Sequence, residues 1–131
     1  MSEMKTSELT GAALDWAVAK CEFVVGRIKM PAFAELEKVR IIIYNQDNTP
    51  EAGGVWFSPS TDWAQGGPII ERKKINLAME RENLWVAQIF AEPYYRRVVY
   101  TASSDNPLAA AMRCFVASKL GDEVEIPEEL K

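Results

Sequence analysis

The chain has no histidine. This removes the usual general base near neutral pH, a common zinc ligand and the usual physiological pH switch. Cysteine is almost as scarce: Cys21 and Cys114 are the only two, and neither belongs to a CxxC pair. A structural zinc site therefore lacks its ligands. Each cysteine falls within a helical pattern, where a reduced thiol packs as a small apolar side chain. Neither a metal nor another cofactor is expected. No apolar run approaches the ~20 residues of a membrane span. Met1 to Thr10 is polar and has no apolar signal core, so the expected compartment is the cytosol, away from membranes. A basic excess is missing too. Fifteen Lys and Arg face nineteen Asp and Glu, for a net charge of −4. Residues 122–131 account for all of it, with Asp122, Glu123, Glu125, Glu128 and Glu129 against Lys131. The rest of the chain is neutral and has no field to draw it onto a phosphate backbone, which disfavours generic nucleic-acid binding.

What is present fits one ordinary domain. A chain of 131 residues that is 48% hydrophobic and 26% charged can bury a core without staples. It has no internal repeats or linkers. Residues 1–131 read as a single domain, with 122–131 as an acidic C-terminal extension in which Asp122 to Ile126 runs extended before Pro127 and Glu128 to Lys131 is a solvated tail.

Thr10 suits a helix N-cap, and Leu9 and Leu14 suit a hydrophobic staple across it. Leu14, Ala17, Val18 and Cys21 follow helical spacing and form the expected core face. Trp16 then projects roughly 150° away from that face at ~100° per residue. A large aromatic there needs a second cover, either a loop or a partner, and Trp16 is a candidate interface residue. Residues 22–38 are irregular, with Gly26 and Pro31 as breakers and a possible helical turn at Ala34 to Lys38. Val39 to Tyr44 reads as a strand covered on both faces. Asn45 to Gly54 reads as a loop, and Val55 to Ser58 as a short strand. Lys74 to Glu80 and Leu84 to Phe90 alternate and predict a hairpin, with Arg96 to Thr101 completing a meander. The last helix has the clearest signals: Asp105 or Asn106 as cap, Pro107 in the first turn and Gly121 just past the end. Its back face of Ala109, Ala110, Cys114 and Ala117, interrupted by Arg113, permits close approach of a second helix. Arg113 is the other candidate interface residue. The expected order is α-β-β-α-β-β-β-α, an α+β domain with a largely antiparallel sheet covered by helices, an α/β/α-type sandwich.

The most specified segment is Ser58-Pro59-Ser60-Thr61-Asp62-Trp63-Ala64-Gln65-Gly66-Gly67-Pro68-Ile69-Ile70-Glu71-Arg72. Ser60, Thr61 and Asp62 can cap a helix start, which by itself accounts for them. Read functionally, Trp63 and the Gly66-Gly67 backbone line a pocket where glycine admits a ligand to the main chain, and amides there could hold an anion. Pro68 removes one donor, and no Gly-Lys-Ser/Thr follows, so this is not a P-loop. Thr61, Asp62, Trp63, Gly66, Gly67, Arg72 and Trp85 are the candidate ligand-binding residues. Arginines interleaved with tyrosines at Tyr94, Tyr95, Arg96, Arg97 and Tyr100 are a weak signal for stacking bases. No nucleophile, base and orienter assemble in the sequence, so no catalytic residue is assigned.

Residues 5–21 (KTSELTGAALDWAVAKC), 58–72 (SPSTDWAQGGPIIER) and 107–130 (PLAAAMRCFVASKLGDEVEIPEEL) closely resemble the phage NinX-type family. More loosely, the TDW-helix, the hairpin Trp and the C-terminal Pro-Leu-Ala helix look like the broader phage ABA-sandwich domain. Residues 22–54 and 91–102 depart from the family pattern. The resemblance implies a product of tailed phages or prophages in the bacterial cytosol, and it carries no known activity. Three functions remain open: a non-catalytic accessory protein that self-associates, a protein sequestering a small anionic or nucleotide-like ligand, or an inhibitor docking on a host protein through its acidic tail.

Overall fold

The helix at Pro107–Leu120 (α3) owes its limits to its ends. The Asn106 side chain accepts from the N–H groups of Leu108 at 2.8 Å and Ala109 at 3.3 Å, Pro107 fills the first turn, and Gly121 ends it at φ +86°. Leu108, Ala110, Ala111, Met112, Cys114, Phe115 and Val116 are all buried, so α3 has apolar contacts on more than one side. The computed structural model describes residues 2–23, 28–29, 39–42, 46–47, 49–50, 54–92, 94 and 97–130. Within it, α3 packs between strands on one side and the helices Gly11–Glu22 (α1) and Trp63–Lys73 (α2) on the other. The small face expected to admit a second helix instead meets the meander side, where Cys114 Sγ lies 3.7 Å from Tyr100 O, while Leu108 and Phe115 of the larger face meet Gly66 and Lys73 of α2.

Eight strands form three small antiparallel sheets among the described residues. Asn76–Arg81 (β5), Leu84–Phe90 (β6) and Val98–Ser104 (β7) form a meander in the order β5-β6-β7. Arg81 pairs with Leu84 across a tight turn in which Asn83 takes φ +61°, a left-handed position asparagine tolerates. Leu77, Trp85, Ile89 and Ala102 pack against the core beside buried Ala87. The third strand runs to Ser104 rather than ending at Thr101, because Ser103 and Ser104 pair with Val86 and Trp85 instead of turning.

Ile28–Lys29 (β2), Val39–Ile41 (β3) and Val55–Phe57 (β4) form a second sheet in that order. The expected helical turn at residues 34–38, and half of the expected loop at 45–54, lie outside the described residues. The third sheet pairs Ser2–Lys5 (β1) with Glu123–Ile126 (β8), joining the two ends of the described chain. Alternation explains it: Val124 and Ile126 are buried, while Glu3, Lys5, Glu123 and Glu125 face outward. Glu3 sits beside Glu123 and Glu125, and their negative charges raise its carboxyl above the ordinary value.

The extended run expected at Asp122 to Ile126 is a strand over Glu123–Ile126 with Val124 and Ile126 buried. In α1 every residue from Ala12 to Ala19 is buried, and Trp16 is 4% exposed with the Lys20 ammonium 5.5 Å from its ring centroid. Helix α1 touches α3, β3 and β8, and a helix held between layers is buried all round. The cover Trp16 needs is supplied within the chain.

Candidate functional site

The segment between β4 and α2 is tied down from three directions. Ser58 O accepts from Thr61 N at 3.1 Å and Asp62 N at 2.9 Å, closing a turn. Asp62 caps α2 by accepting from Ala64 N at 2.9 Å, as the sequence suggests. Gln65 reaches back from the first turn: its Oε1 accepts from Ser58 N at 2.6 Å and its Nε2 donates to Trp56 O at 2.7 Å. The third tether comes from α1, where Asp15 Oδ1 accepts from Ser60 N at 2.9 Å.

These tethers frame a cavity of about 260 Å³ lined by Gly11, Ala12, Asp15, Val39, Trp56, Phe57, Ser58 and Thr61. Asp15 is 4% exposed, and burial pushes its carboxyl up to about 6, opposed by the hydrogen bonds from Ser60. The Ser60 hydroxyl, also buried, has no well-formed hydrogen bond although it lies beside that carboxylate. Trp56 contributes an aromatic wall, with the Arg40 guanidinium carbon 4.8 Å from its ring centroid. Phe23 and Phe57 meet edge to face at 5.3 Å nearby. The cavity thus combines one buried acid, hydroxyl groups and an indole. It suits a donor-bearing group better than an anion.

The family described as "Bacteriophage P22, NinX" matches residues 5–119, which include every residue of this cavity. The chain belongs to that family. No curated protein matches it. Among the described residues of this NinX-family chain, no helix is long and apolar enough to cross a membrane.

The ligand residues expected from sequence do not converge. Thr61 alone lines the cavity, and its hydroxyl donates to Ser58 O at 3.4 Å. Asp62 is engaged in capping. Trp63, the first residue of α2, is 56% exposed. The Gly66-Gly67-Pro68 run reads as a break, yet α2 continues through it. A Cβ on Gly66 would sit 2.5 Å from Pro59 O and 2.6 Å from Leu108 Cδ2, so its missing side chain serves helix packing rather than ligand approach. A Cβ on Gly67 would meet nothing. Arg72 lies nine residues, ~13 Å, along the helix from Trp63 and pairs with Glu22 at the end of α1. It is therefore not at the helix start with Trp63. Trp85 packs against the core from β6. Arg113 is held in place: its Nε donates to Leu9 O and its Nη1 to Ser103 O, each at 2.8 Å. Desolvation lowers the pKa of that guanidinium. Asp15 and Gln65 were not among the expected residues. An acid inside the apolar run Leu14 to Ala19 was the available signal for Asp15.

A second surface is the open edge of the meander. Strand β7, Val-Val-Tyr-Thr-Ala-Ser-Ser, carries no charge, and Val98, Val99 and Tyr100 are 38%, 44% and 39% exposed. It pairs with β6 on one side and, among the described residues, is the edge strand on the other.

Proposed function

We propose that this chain is a non-catalytic phage accessory protein that acts by binding in the bacterial cytosol and assembles with itself along β7. The observation that carries the reading is this uncharged, seven-residue edge strand with exposed apolar side chains. Such edges pair with another strand unless charge, proline or a bulge blunts them; β7 has one such irregularity, where its register with β6 shifts around Val99, and residues 100–104 beyond it pair regularly. Antiparallel pairing of two β7 strands about a twofold axis would give a six-stranded sheet and a self-complementary interface. Binding rather than catalysis is supported by the chemistry available. The chain has no histidine, and burial pushes both Cys21 and Cys114 up to about 12, far from a reactive thiolate. Native mass spectrometry tests the assembly. The wild type should show a species at twice 14.7 kDa, and Val99→Lys should shift it to 14.7 kDa. A wild type that stays monomeric at every concentration, or a lysine variant that stays dimeric, overturns the interface.

Sequestration of a small ligand is the second reading, favoured by the cavity at Asp15. The third, docking on a host protein through residues 122–131, has less support because β8 commits its apolar side to the core.

A further inference from the structure

Independently of β7, we propose that the cavity between α1, β4 and the Ser58–Thr61 turn binds a planar ligand edge that presents two adjacent N–H donors. That is the edge of a guanine base or of a guanidinium group. Asp15 is the recognising residue, and Trp56 is the flat wall beside it.

The argument starts from the buried carboxylate. Asp15 lines the cavity at 4% exposure, and its one hydrogen bond of good geometry is to Ser60 N. A carboxylate has about four acceptor positions, and the N–H and hydroxyl of Ser60 account for two at most. No described cation pairs with it; its neighbour is Ser60, and Arg72 and Lys74 pair elsewhere, with Glu22 and Glu92. A buried acid without a charged partner is costly to hold, and a group that supplies N–H donors offsets that cost. Two parallel N–H bonds to one carboxylate are the strongest and most directional way to do so. The neighbours select a flat ligand, because Trp56 is 41% exposed and forms part of the wall. The size selects a small one. About 260 Å³ falls just below the usual 300–1,000 Å³ of drug-sized pockets and accommodates one ring system or a side-chain headgroup. Among the described residues Asp15 is the one carboxylate lining the cavity, so they serve a divalent cation poorly, since such ions take six or more oxygens.

Isothermal titration calorimetry with three probes tests the site: guanosine, methylguanidinium, and inosine, which matches guanosine but lacks the exocyclic amine. Guanosine or methylguanidinium should saturate the wild type, and whichever does so identifies a base or an arginine-type headgroup as the source of the edge. Asp15→Asn should weaken that binding at least about tenfold. Should Asp15→Asn fail to fold by circular dichroism, Trp56→Leu carries the test, because its partly exposed ring can be replaced without opening the core. That variant should also lose at least about tenfold. The assignment is overturned if neither guanosine nor methylguanidinium saturates by about 1 mM. It is equally overturned if guanosine saturates and inosine binds as tightly, or if the folded variants bind the saturating probe as tightly as the wild type.

Discussion

At the scale of single residues, Asp15 is the position where the chain departs most from what an apolar helix face would choose. It ties α1 to the Ser58–Thr61 turn, and burial raises its carboxyl from 3.8 to about 6. A raised pKa means that the folded state holds the proton more tightly than the unfolded state. The stabilising contribution is therefore complete below pH 3.8 and is lost as pH rises through about 6. The loss amounts to roughly 3 kcal/mol at neutral pH, at ~1.4 kcal/mol for each pH unit of difference. Urea unfolding of wild type and Asp15→Asn from pH 4 to 7 isolates this contribution. The variant can keep an acceptor for Ser60 N but has no charge to bury, so it should gain on the wild type as pH rises. Parallel curves would show that Asp15 does not titrate in this range. Asp15 was legible as an anomaly, but its pairing with Ser60 was not, because 45 residues separate them.

Among the elements, α2 shows most clearly how the same residues serve packing instead of ligand binding. Ser58, Asp62 and Gln65 set where it begins, and Lys74 ends it in a left-handed conformation at φ +55°. Gly66 brings the helix against the Pro59 carbonyl and Leu108 of α3. The carbonyl belongs to a turn tethered on both sides and cannot retreat. Gly66→Ala should therefore cost about 1–3 kcal/mol as overpacking. Gly67→Ala, pointing into open space within the same helix, should instead gain about 0.5–1 kcal/mol. Thermal melts of the two variants should move in opposite directions, and a common shift would refute the packing role of Gly66. The cap at Asp62 could be read from sequence because capping is local. The continuation of α2 through Gly66-Gly67-Pro68 could not, since neighbouring elements outweigh the poor intrinsic propensity of those residues.

For the molecule as a whole, the two ends close the fold. Strand β8 pairs with β1 residue for residue, Thr6 N donates to Asp122 O at 2.8 Å, and Thr6 Oγ1 donates to Gly121 O at 2.6 Å. Burying Val124 and Ile126 is worth roughly 3–6 kcal/mol together, a large part of a typical domain's 5–15 kcal/mol. A chain truncated after Gly121 should accordingly lose its cooperative melt by circular dichroism, whereas one truncated after Pro127 should keep it. If the shorter chain melts like the full one, β8 is dispensable and the acidic segment is free to act as a tail. The sequence alone determined the α+β class, both caps of α3, the hairpin and its turn, and membership of the phage family. These follow from side-chain periodicity and from hydrogen bonds only a few residues long. Only the tertiary structure decided that Trp16 is internal, that Arg72 stands away from Trp63, that the extended acidic segment pairs with β1, and that Asp15, Trp56 and Thr61 share one cavity. Each depends on contacts between residues distant along the chain, which local patterns do not encode.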